Sequence, residues 1–222
     1  MQAKFVAPSS ADAFLDPSNS VWKRAAVERL KLEGTPLALQ PTALIVNTWA
    51  NRKIGTVGAV QVAAVHDGST LALRLEWDDP IESVGADNTD FPDGAAVLFP
   101  VVPNAPLPTM GAPGMAVNAW YWRSDDDQGR HVVAEGIGTS RTLDLEQVRA
   151  RGSWKDGRWR VVIARALRVG SPEPVAQLRP GEATGVAVAV WDGANGERGG
   201  IKAYSGALWQ EFEIDAAQSA RS

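Results

Sequence analysis

The sequence predicts a mainly β protein, an antiparallel β-sandwich or barrel with a few short helices. From residue 57 onward, short segments of strand character follow one another, and clusters of Gly, Pro and Asp separate them. Short strands with turn signals at this spacing are typical of sandwiches and barrels. At 222 residues the chain fits one large domain, residues 1–222, with 1–50 as a less certain N-terminal arm.

The first two strands are predicted from a period of two. Val60, Val62 and Ala64 alternate with the residues between them, and the same holds for Leu71 to Trp77. A turn signal, His66-Asp67-Gly68-Ser69, joins the two segments and predicts a hairpin. We expect His66 to lie exposed in that turn.

Six further segments complete the predicted sheets, and His131 is expected to begin one of them. They are Ala95 to Phe99, Ala116 to Arg123, His131 to Gly138, Trp159 to Leu167, Thr184 to Trp191 and Leu208 to Ile214.

Two helical segments are predicted outside the strands. Residues 1 to 35 read as irregular except for Val21 to Leu32, where apolar residues recur at about helical spacing and indicate a short helix or docking arm. Asp144 followed by Gln147 resembles a capping box that opens a helix through Arg151.

Composition excludes several functional classes. With 22 basic and 26 acidic residues the net charge is −4, so we expect no nucleic-acid partner. The absence of Cys excludes disulfides, iron–sulfur ligation, covalent c-type haem attachment and thiol catalysis. No apolar stretch is long enough to cross a bilayer as a helix, which predicts no membrane span. The segment Met1 to Pro8 lacks the apolar region of a secretory signal, so export is expected to rely on a partner or a removed signal.

Long connections hold the candidate site residues, because such loops are often functional. They are Asp78 to Gly94, Pro100 to Met115, which contains Met110, and the segment after Trp191, which contains Lys202. Taken alone, Lys202 is a solvated lysine in a Gly-rich loop and Met110 is a packing residue. No hydrolase or phosphate-binding pattern is present.

The loop from Asp78 to Gly94 is rich in acidic residues. They lack the spacing of an EF-hand, so the loop reads as a solvated acidic surface or as a docking patch for a basic protein. Its acidic members are Asp78, Asp79, Glu82, Asp87, Asp90 and Asp93.

Tryptophan is abundant, with nine residues in the chain. Trp120 and Trp122 share one face of a strand with Asn118. Such a face packs in a core or stacks on a sugar or a porphyrin.

Several segments in a consistent order resemble a known family. They are Val60 to Leu75, Asp93 to Pro100, Thr109 to Ala112, Val117 to Trp122, Val133 to Gly136 and Ala189 to Gly206. Together they are similar to the haem b (gamma) subunits of the type II branch of the dimethyl-sulfoxide-reductase family of molybdoenzymes, and especially to those of the ethylbenzene dehydrogenase type. The resemblance covers most of the chain from about residue 57, whereas the N-terminal arm matches poorly.

The resemblance implies a β-sandwich that binds one non-covalent haem b. Its axial ligands fall on Met110 and Lys202, and Asn118, Trp120 and Arg198 are expected to contact the cofactor, with Arg198 near a propionate. Ile201 departs from the family pattern, in which a basic residue precedes the ligand lysine.

The resemblance also implies partners. The chain is expected to be a non-catalytic, periplasmic electron-transfer subunit of a heterotrimer, together with a molybdenum-cofactor alpha subunit and an iron–sulfur beta subunit. A soluble c-type cytochrome would exchange electrons with it. The complex would act on ethylbenzene, dimethyl sulfide, chlorate or selenate.

Two alternatives stay open at this point. The tryptophan-rich face also suits a carbohydrate-binding β-sandwich module without haem. A haem-free assembly subunit of a redox complex is the other alternative.

Overall fold

The computed structural model describes residues 1–7, 11–85, 90–143 and 146–217. Within these ranges it contains fourteen strands. In chain order they are β1 Gln2–Phe5, β2 Val27–Lys31, β3 Glu33–Gly34, β4 Ala59–His66, β5 Thr70–Asp78, β6 Gly94–Pro100, β7 Val117–Arg123, β8 Gln128–Ala134, β9 Arg141–Thr142, β10 Val148–Trp154, β11 Arg158–Ala166, β12 Ala183–Trp191, β13 Ala203–Tyr204 and β14 Gln210–Ile214.

Helices are short. The α-helices are α1 Ala11–Leu15 and α2 Ala43–Trp49, and the 3-10 helices are Ser20–Arg24 and Leu37–Leu39. None of the helices in the described ranges is long and apolar enough to cross a membrane.

The strands form a mainly antiparallel β-sandwich, which confirms the predicted fold class. Neighbouring strands are hydrogen-bonded in the order β10-β11-β5-β4-β1-β14-β12-β6-β7-β8-β9. The sheet folds over on itself, so that β11 contacts β6 and β7 across the interior. β12 belongs to both layers, because residues 183–186 pair with β14 and residues 187–191 pair with β6. This strand therefore joins the layer of β4, β5 and β11 to the layer of β6, β7 and β8.

A large apolar core fills the space between the two layers. Alternate residues of β5, β6, β7 and β11 point into it, as the period of two predicts. Trp77, Trp122 and Trp159 meet at its centre, with ring centroids 4.9 to 6.5 Å apart. Aromatic clusters of this kind contribute large buried areas to the stability of a sandwich.

The N-terminal segment differs from the prediction. β1 lies between β4 and β14 and pairs with both in parallel, so the start of the chain belongs to the sheet. Val21 to Leu32 is not a helix, because only Ser20–Arg24 forms a 3-10 turn and β2 pairs antiparallel with β4. Tertiary pairing along the exposed edge of β4 overrides the weak helical spacing of this segment.

The predicted helix from Asp144 to Arg151 is also wrong in its described part. Asp144 lies outside the described residues, but β10 pairs with β11 over its whole length from Val148 to Trp154. Its residues alternate between buried or half-buried and exposed positions, the pattern of a strand at the side of a sandwich.

Both histidines are buried, contrary to the expectation for His66. His66 ends β4 with no exposed surface and packs edge-on against Phe5, with 5.5 Å between ring centroids. The hairpin turn itself forms as predicted, closed by the Asp67 carboxylate, which accepts hydrogen bonds from the backbone of Ser69 and Thr70. His131 lies in the middle of β8 rather than at its start, with 1% of its surface exposed.

Candidate functional site

A cavity of about 550 Å³ opens on the outer face of the layer formed by β6, β7 and β12. Four alanines at outward positions of these strands form part of its floor, beside the larger Leu98, Tyr121 and Trp191. The four alanines are Ala96, Ala119, Ala187 and Ala189. The volume lies in the range of small-molecule and cofactor sites. Sequence reasoning missed this floor, although its signal was present as alanines that alternate with large residues.

The Met110 side of the cavity is built on a tight turn. Met110 has φ of +57° and Gly111 has φ of +91°, so two consecutive residues adopt the left-handed conformation. A Cβ at Gly111 would meet the carbonyl oxygens of Met115 and Ala134 at 2.6 and 2.9 Å, so only glycine fits there. The Met110 carbonyl accepts a hydrogen bond from the Gly136 amide at 3.0 Å. The fold thereby fixes the backbone from which the Met110 side chain enters the cavity.

Lys202 lies at the opposite strand end, one residue before β13. β13 is held between β12 and β3, and the Thr35 amide donates to the Lys202 carbonyl at 3.0 Å. Buried Glu197 closes the preceding loop, since one of its oxygens accepts from the Gly55 amide at 2.8 Å and the other from the Asp192 amide at 3.1 Å. The Gly-rich segment is therefore a fixed loop.

The ammonium group of Lys202 is weakly partnered. Among the described residues it forms no ion pair, and its only hydrogen bond is a long contact of 3.5 Å with the Gly199 carbonyl. Its Nζ lies 5.4 Å from the centroid of the Trp191 ring, which also lines the cavity. Burial lowers the pKa of Lys202 to about 8, because desolvation disfavours the charged form. A lysine in this setting loses its proton far more easily than one on the surface.

The roof of the cavity comes from the N-terminal arm. Pro36, Leu39 and Ile45 line it from the segment that contains the second 3-10 helix and α2. This segment is tied to the Lys202 loop, because Thr35 Oγ1 donates to the Gly200 carbonyl at 2.6 Å. The N-terminal arm thus contributes one wall of the site.

One rim of the cavity carries three arginines, Arg123, Arg130 and Arg141. Each forms an ion pair with a nearby carboxylate, and Arg130 also lies 5.9 Å from the centroid of the Tyr121 ring. Burial raises the pKa of Tyr121 to about 12, so its phenol stays neutral beside them. Guanidinium groups at the mouth of an apolar cavity suit the carboxylates of a bound molecule.

The structure brings Met110 and Lys202 to one cavity but leaves the other three predicted contacts outside it. Arg198 is exposed, donates to the Gly196 carbonyl at 3.1 Å, and stacks 4.0 Å from the Phe91 ring centroid. Its position gives no support to the expected propionate contact.

Asn118 and Trp120 lie on the inner face of β7, opposite the cavity, and neither has exposed surface. Asn118 Oδ1 accepts from Arg165 Nη1 at 3.1 Å and from the Ala176 amide at 3.2 Å, while Trp120 packs on Phe99 and Arg165. Asn118 and Trp120 therefore have a structural role in the core, and the expected cofactor contacts are not supported. The period of two in a strand sends neighbouring residues to opposite faces, so Ala119 and Tyr121 reach the cavity instead.

The acidic loop is not uniformly solvated. Asp79 is 2% exposed and Asp93 is fully buried, whereas Asp78, Glu82 and Asp90 are exposed. Asp87 lies outside the described residues. The expected acidic surface or docking patch is therefore smaller than the sequence indicated, and it lacks two of its members.

The cavity fits a haem in the chemistry of its lining. A flat apolar macrocycle requires room against an apolar wall, and the four alanines provide that room beside Leu98, Tyr121 and Trp191. A neutral thioether and an amine with a lowered pKa are both able to ligate iron. The arginine rim offers partners for two carboxylates.

Sequence comparison supports the same family. The family model for ethylbenzene dehydrogenase matches residues 19–144 and 139–203, so it includes much of the N-terminal arm, which was expected to match poorly. The gamma subunit of chlorate reductase from Ideonella dechloratans is 37% identical over 87% of this chain and 77% of its own length. The chain belongs to the ethylbenzene dehydrogenase family.

More distant relatives in this comparison are also redox subunits. A putative respiratory nitrate reductase haem subunit from Haloferax mediterranei is 30% identical over 88% of this chain and 67% of its own length. The gamma subunit of dimethylsulfide dehydrogenase from Rhodovulum sulfidophilum is 27% identical over 86% and 72%, respectively.

Solved structures with a similar fold are carbohydrate-binding proteins. A family 9 carbohydrate-binding module from Caldicellulosiruptor kristjanssonii in complex with glucose superposes with a TM-score of 0.55 at 11% identity, covering 99% of this chain and 97% of the module. A putative carbohydrate-binding protein from Bacteroides uniformis gives 0.56 at 10% identity, covering 97% and 98%. At these identities the likeness shows a shared fold alone.

Proposed function

We propose that this chain is the haem b subunit of an oxidoreductase complex and passes single electrons through a haem held between Met110 and Lys202. The observation that supports it most strongly is the meeting of these two residues in one apolar cavity, from loops that are far apart in sequence. The relatives named chlorate reductase and dimethylsulfide dehydrogenase subunit gamma, and the nitrate reductase haem subunit, favour the same assignment.

Lys202 binds iron only as a neutral amine. For an unperturbed lysine, with a pKa near 10.4, deprotonation at pH 7 costs roughly 4 to 5 kcal/mol. At a pKa of about 8 that cost falls to about 1.4 kcal/mol. The apolar cavity therefore removes most of the barrier to ligation before any metal contributes.

Met110 supplies a neutral, soft sulfur from a backbone that the left-handed turn holds in place. When bound, the haem would supply a one-electron couple, and methionine ligation raises the potential of such a couple. Met110 and Lys202 would together hold the haem and leave no position on its iron open to exogenous ligands. This arrangement suits electron transfer and makes the chain itself non-catalytic.

The three rim arginines orient the cofactor in this proposal. Arg123, Arg130 and Arg141 occupy one mouth of the cavity, where the two propionates of a haem would meet solvent. Charge-assisted hydrogen bonds to carboxylates fix such an orientation. We assign to these residues the role that the sequence had suggested for Arg198.

The proposed partners follow from the family resemblance. We propose that a beta subunit holds the iron–sulfur clusters and that an alpha subunit holds the molybdenum cofactor and the substrate, since this chain has no Cys for cluster ligation. A soluble c-type cytochrome in the periplasm is the proposed external redox partner. The identity of the substrate then depends on the alpha subunit.

Absorption spectroscopy of the purified chain tests the cofactor. We expect a red protein with a Soret band, a b-type pyridine haemochrome, and a low-spin six-coordinate spectrum. A colourless chain that binds no added haem would contradict the proposal. Such a chain would point to the carbohydrate-binding module, or to a haem-free assembly subunit if it co-purifies with molybdenum and iron–sulfur subunits.

Two matched pairs of variants test the ligands. Lys202→Met and Met110→Leu keep the side-chain volume and remove the native donor atom, so we expect an altered axial ligation in each, with loss of the native low-spin spectrum. Met115→Leu and Lys155→Met are the controls, since Met115 packs on the same cluster without lining the cavity and Lys155 is exposed. Unchanged low-spin spectra in either ligand variant would exclude that residue as a ligand.

A further inference from the structure

Three carboxylates outside the haem cavity meet at one end of the sandwich. Asp79 directly follows β5, Asp93 directly precedes β6, and Asp192 directly follows β12. One oxygen of each lies within 4.8 Å of the others. Three separate loops therefore bring like charges to one point, although the residues are far apart in sequence.

Burial makes this cluster unfavourable without a cation. Asp79 and Asp93 are 2% and 0% exposed, and none of the three carboxylates forms an ion pair with a described residue. Burial raises the pKa of Asp93 to about 7, and the Asp79 charge adds to that rise. Burial also raises the pKa of Asp79 to about 6, with a smaller contribution from the Asp192 charge. Buried charges in proteins are normally paired or bound to metals.

One oxygen of Asp79 has no hydrogen-bond partner. Asp79 Oδ1 accepts a hydrogen bond from the Ile81 amide at 3.2 Å, whereas the buried Oδ2 accepts none. The Trp77 indole is the donor that faces Asp79 and acts to lower the pKa of its carboxyl, but Trp77 Nε1 lies outside hydrogen-bonding geometry. A buried carboxylate oxygen without a partner costs free energy, so such an atom indicates a missing ligand.

Hydrogen bonds orient the other two carboxylates. Asp93 Oδ1 accepts from the Gly193 amide at 2.8 Å, and its Oδ2 accepts from the Ser83 amide at 2.8 Å and Trp159 Nε1 at 2.9 Å. Thr56 Oγ1 donates to Asp192 Oδ2 at 2.5 Å. Donors of this kind fix the direction of metal ligands in known sites, and each carboxylate has about four acceptor positions, so some remain free.

From this geometry we infer that Asp79, Asp93 and Asp192 bind one Ca²⁺ ion. The cluster offers oxygen alone, which selects a hard cation over zinc, copper or nickel. Two Ca²⁺–oxygen bonds of about 2.4 Å span at most about 4.8 Å, and the three oxygen atoms lie within that distance of one another, so one ion could reach all three.

Such an ion would connect the site to the Lys202 loop. Asp192 begins the segment that ends at Lys202, and Asp93 already holds the Gly193 amide of that segment. The ion would fix this segment to the ends of β5 and β6. The cation site stands without the haem proposal, and only its effect on Lys202 rests on it.

Calcium binding by the full chain tests the inference. After EDTA treatment and removal of the chelator, titration calorimetry should detect one Ca²⁺ per chain. Thermal unfolding should shift upward by about 5 °C or more at a Ca²⁺ concentration 100-fold above Kd. Asp79→Asn should lose at least tenfold in affinity and most of the shift. Asp90→Asn, an exposed change in the same loop, should behave as the wild type.

Three results would overturn the inference. They are the absence of Ca²⁺ binding with an unchanged melting temperature, equal binding by the Asp79→Asn and Asp90→Asn chains, and a preference for Mg²⁺ over Ca²⁺. Elemental analysis of the purified wild-type chain provides a measurement that needs no variant, with one calcium per chain expected. Haem content is read separately from the Soret band, so failure of one site does not imply failure of the other.

Discussion

The two faces of the layer formed by β6, β7 and β12 differ in the size of their side chains. On the inner face, Val97, Trp120 and Val188 have no exposed surface and pack against the opposite layer. On the outer face, the alternate positions include Ala96, Ala119 and Ala189, which leave room for the cavity between the larger Leu98, Tyr121 and Trp191. Both faces are apolar, so hydrophobicity alone does not distinguish them.

In this layer, side-chain volume therefore distinguishes the core face from the face of the binding site. A close-packed interior requires large side chains that interdigitate across about 10 Å. A site for a flat apolar molecule requires an apolar wall from which the bulk is missing.

Truncation on the inner face should have the largest effect. Trp120→Ala removes a fully buried indole that packs on Phe99 with 4.8 Å between centroids, so we expect a loss of about 3 to 5 kcal/mol in the free energy of unfolding. Chemical denaturation measures this loss. Trp191→Ala is the outer-face control, and there we expect less than about half of that loss, because Trp191 is half-buried beside the cavity. Equal losses would remove the contrast between the faces.

Acid should destabilise the inner face through His131. Burial lowers the pKa of His131 to about 4, and the adjacent Arg165 guanidinium adds to the shift. Below pH 6.5 the His131 imidazole becomes protonated in the unfolded chain, whereas in the folded chain it stays neutral until about pH 4. Stability should therefore fall across this window, by up to about 3 kcal/mol for this residue.

We would check this pH dependence by measuring the denaturation midpoints of the wild type and of His131→Gln from pH 4 to 7. The variant should lack that part of the slope, because glutamine does not titrate. Parallel curves for the two chains would show that His131 does not contribute. The other polar groups that face the imidazole, Asn118 Oδ1 and the Gln147 side chain, are uncharged and stay constant across the range.

Adding bulk on the outer face should affect the cofactor more than the fold. Ala119→Leu projects a branched side chain into the cavity, so we expect haem affinity to fall at least tenfold while the free energy of unfolding of the haem-free chain changes by less than about 1 kcal/mol. Haem titration followed at the Soret band measures the affinity. Ala207→Leu, at an exposed position, should leave both quantities unchanged. Normal haem affinity in Ala119→Leu would show that the alanine floor does not contact the cofactor.

Removal of a rim charge should have the smallest effect. Arg130→Gln deletes one guanidinium at the mouth of the cavity, so we expect a loss of about three- to fivefold in haem affinity, in line with partly exposed ion pairs. The loss should shrink at high salt. Arg168→Gln, which is exposed away from the cavity, is the control. An equal effect of the two changes would count against propionate binding at this rim.

Prediction from sequence succeeded where local pattern and tertiary context agree. The β4–β5 hairpin has both a period of two and a turn whose Asp67 carboxylate caps the loop, so its register follows from the chain alone. The sequence-based prediction failed where strand pairing overrides the local helical preference. Val27–Lys31, for example, forms a strand along β4 although its apolar residues have helical spacing. His66 follows the same rule, because the sheet buries a residue that its Asp-Gly neighbours would leave exposed.

The candidate site was predicted in part. Met110 and Lys202 came from the resemblance, and the structure places both at the cavity. Their ligation of iron stays a prediction. Asn118 and Trp120 were predicted as cofactor contacts from one of the matching segments, but the alternation of side chains along β7 directs both into the core. The rim arginines lie on β7, β8 and β9, so no local pattern marks them as a group.

By itself the sequence determined the fold class, the order of the main strands, the family, and the two residues expected to hold the cofactor. The fold class and strand order follow from local periodicity and turn chemistry, whereas the family and the two expected ligands follow from the resemblance of particular segments. Only the tertiary structure decided which face of β7 lines the cavity, how the N-terminal arm roofs it, and that Asp79, Asp93 and Asp192 meet. Those facts depend on which distant strand ends lie side by side, and pairing between distant strands is not encoded in any single segment.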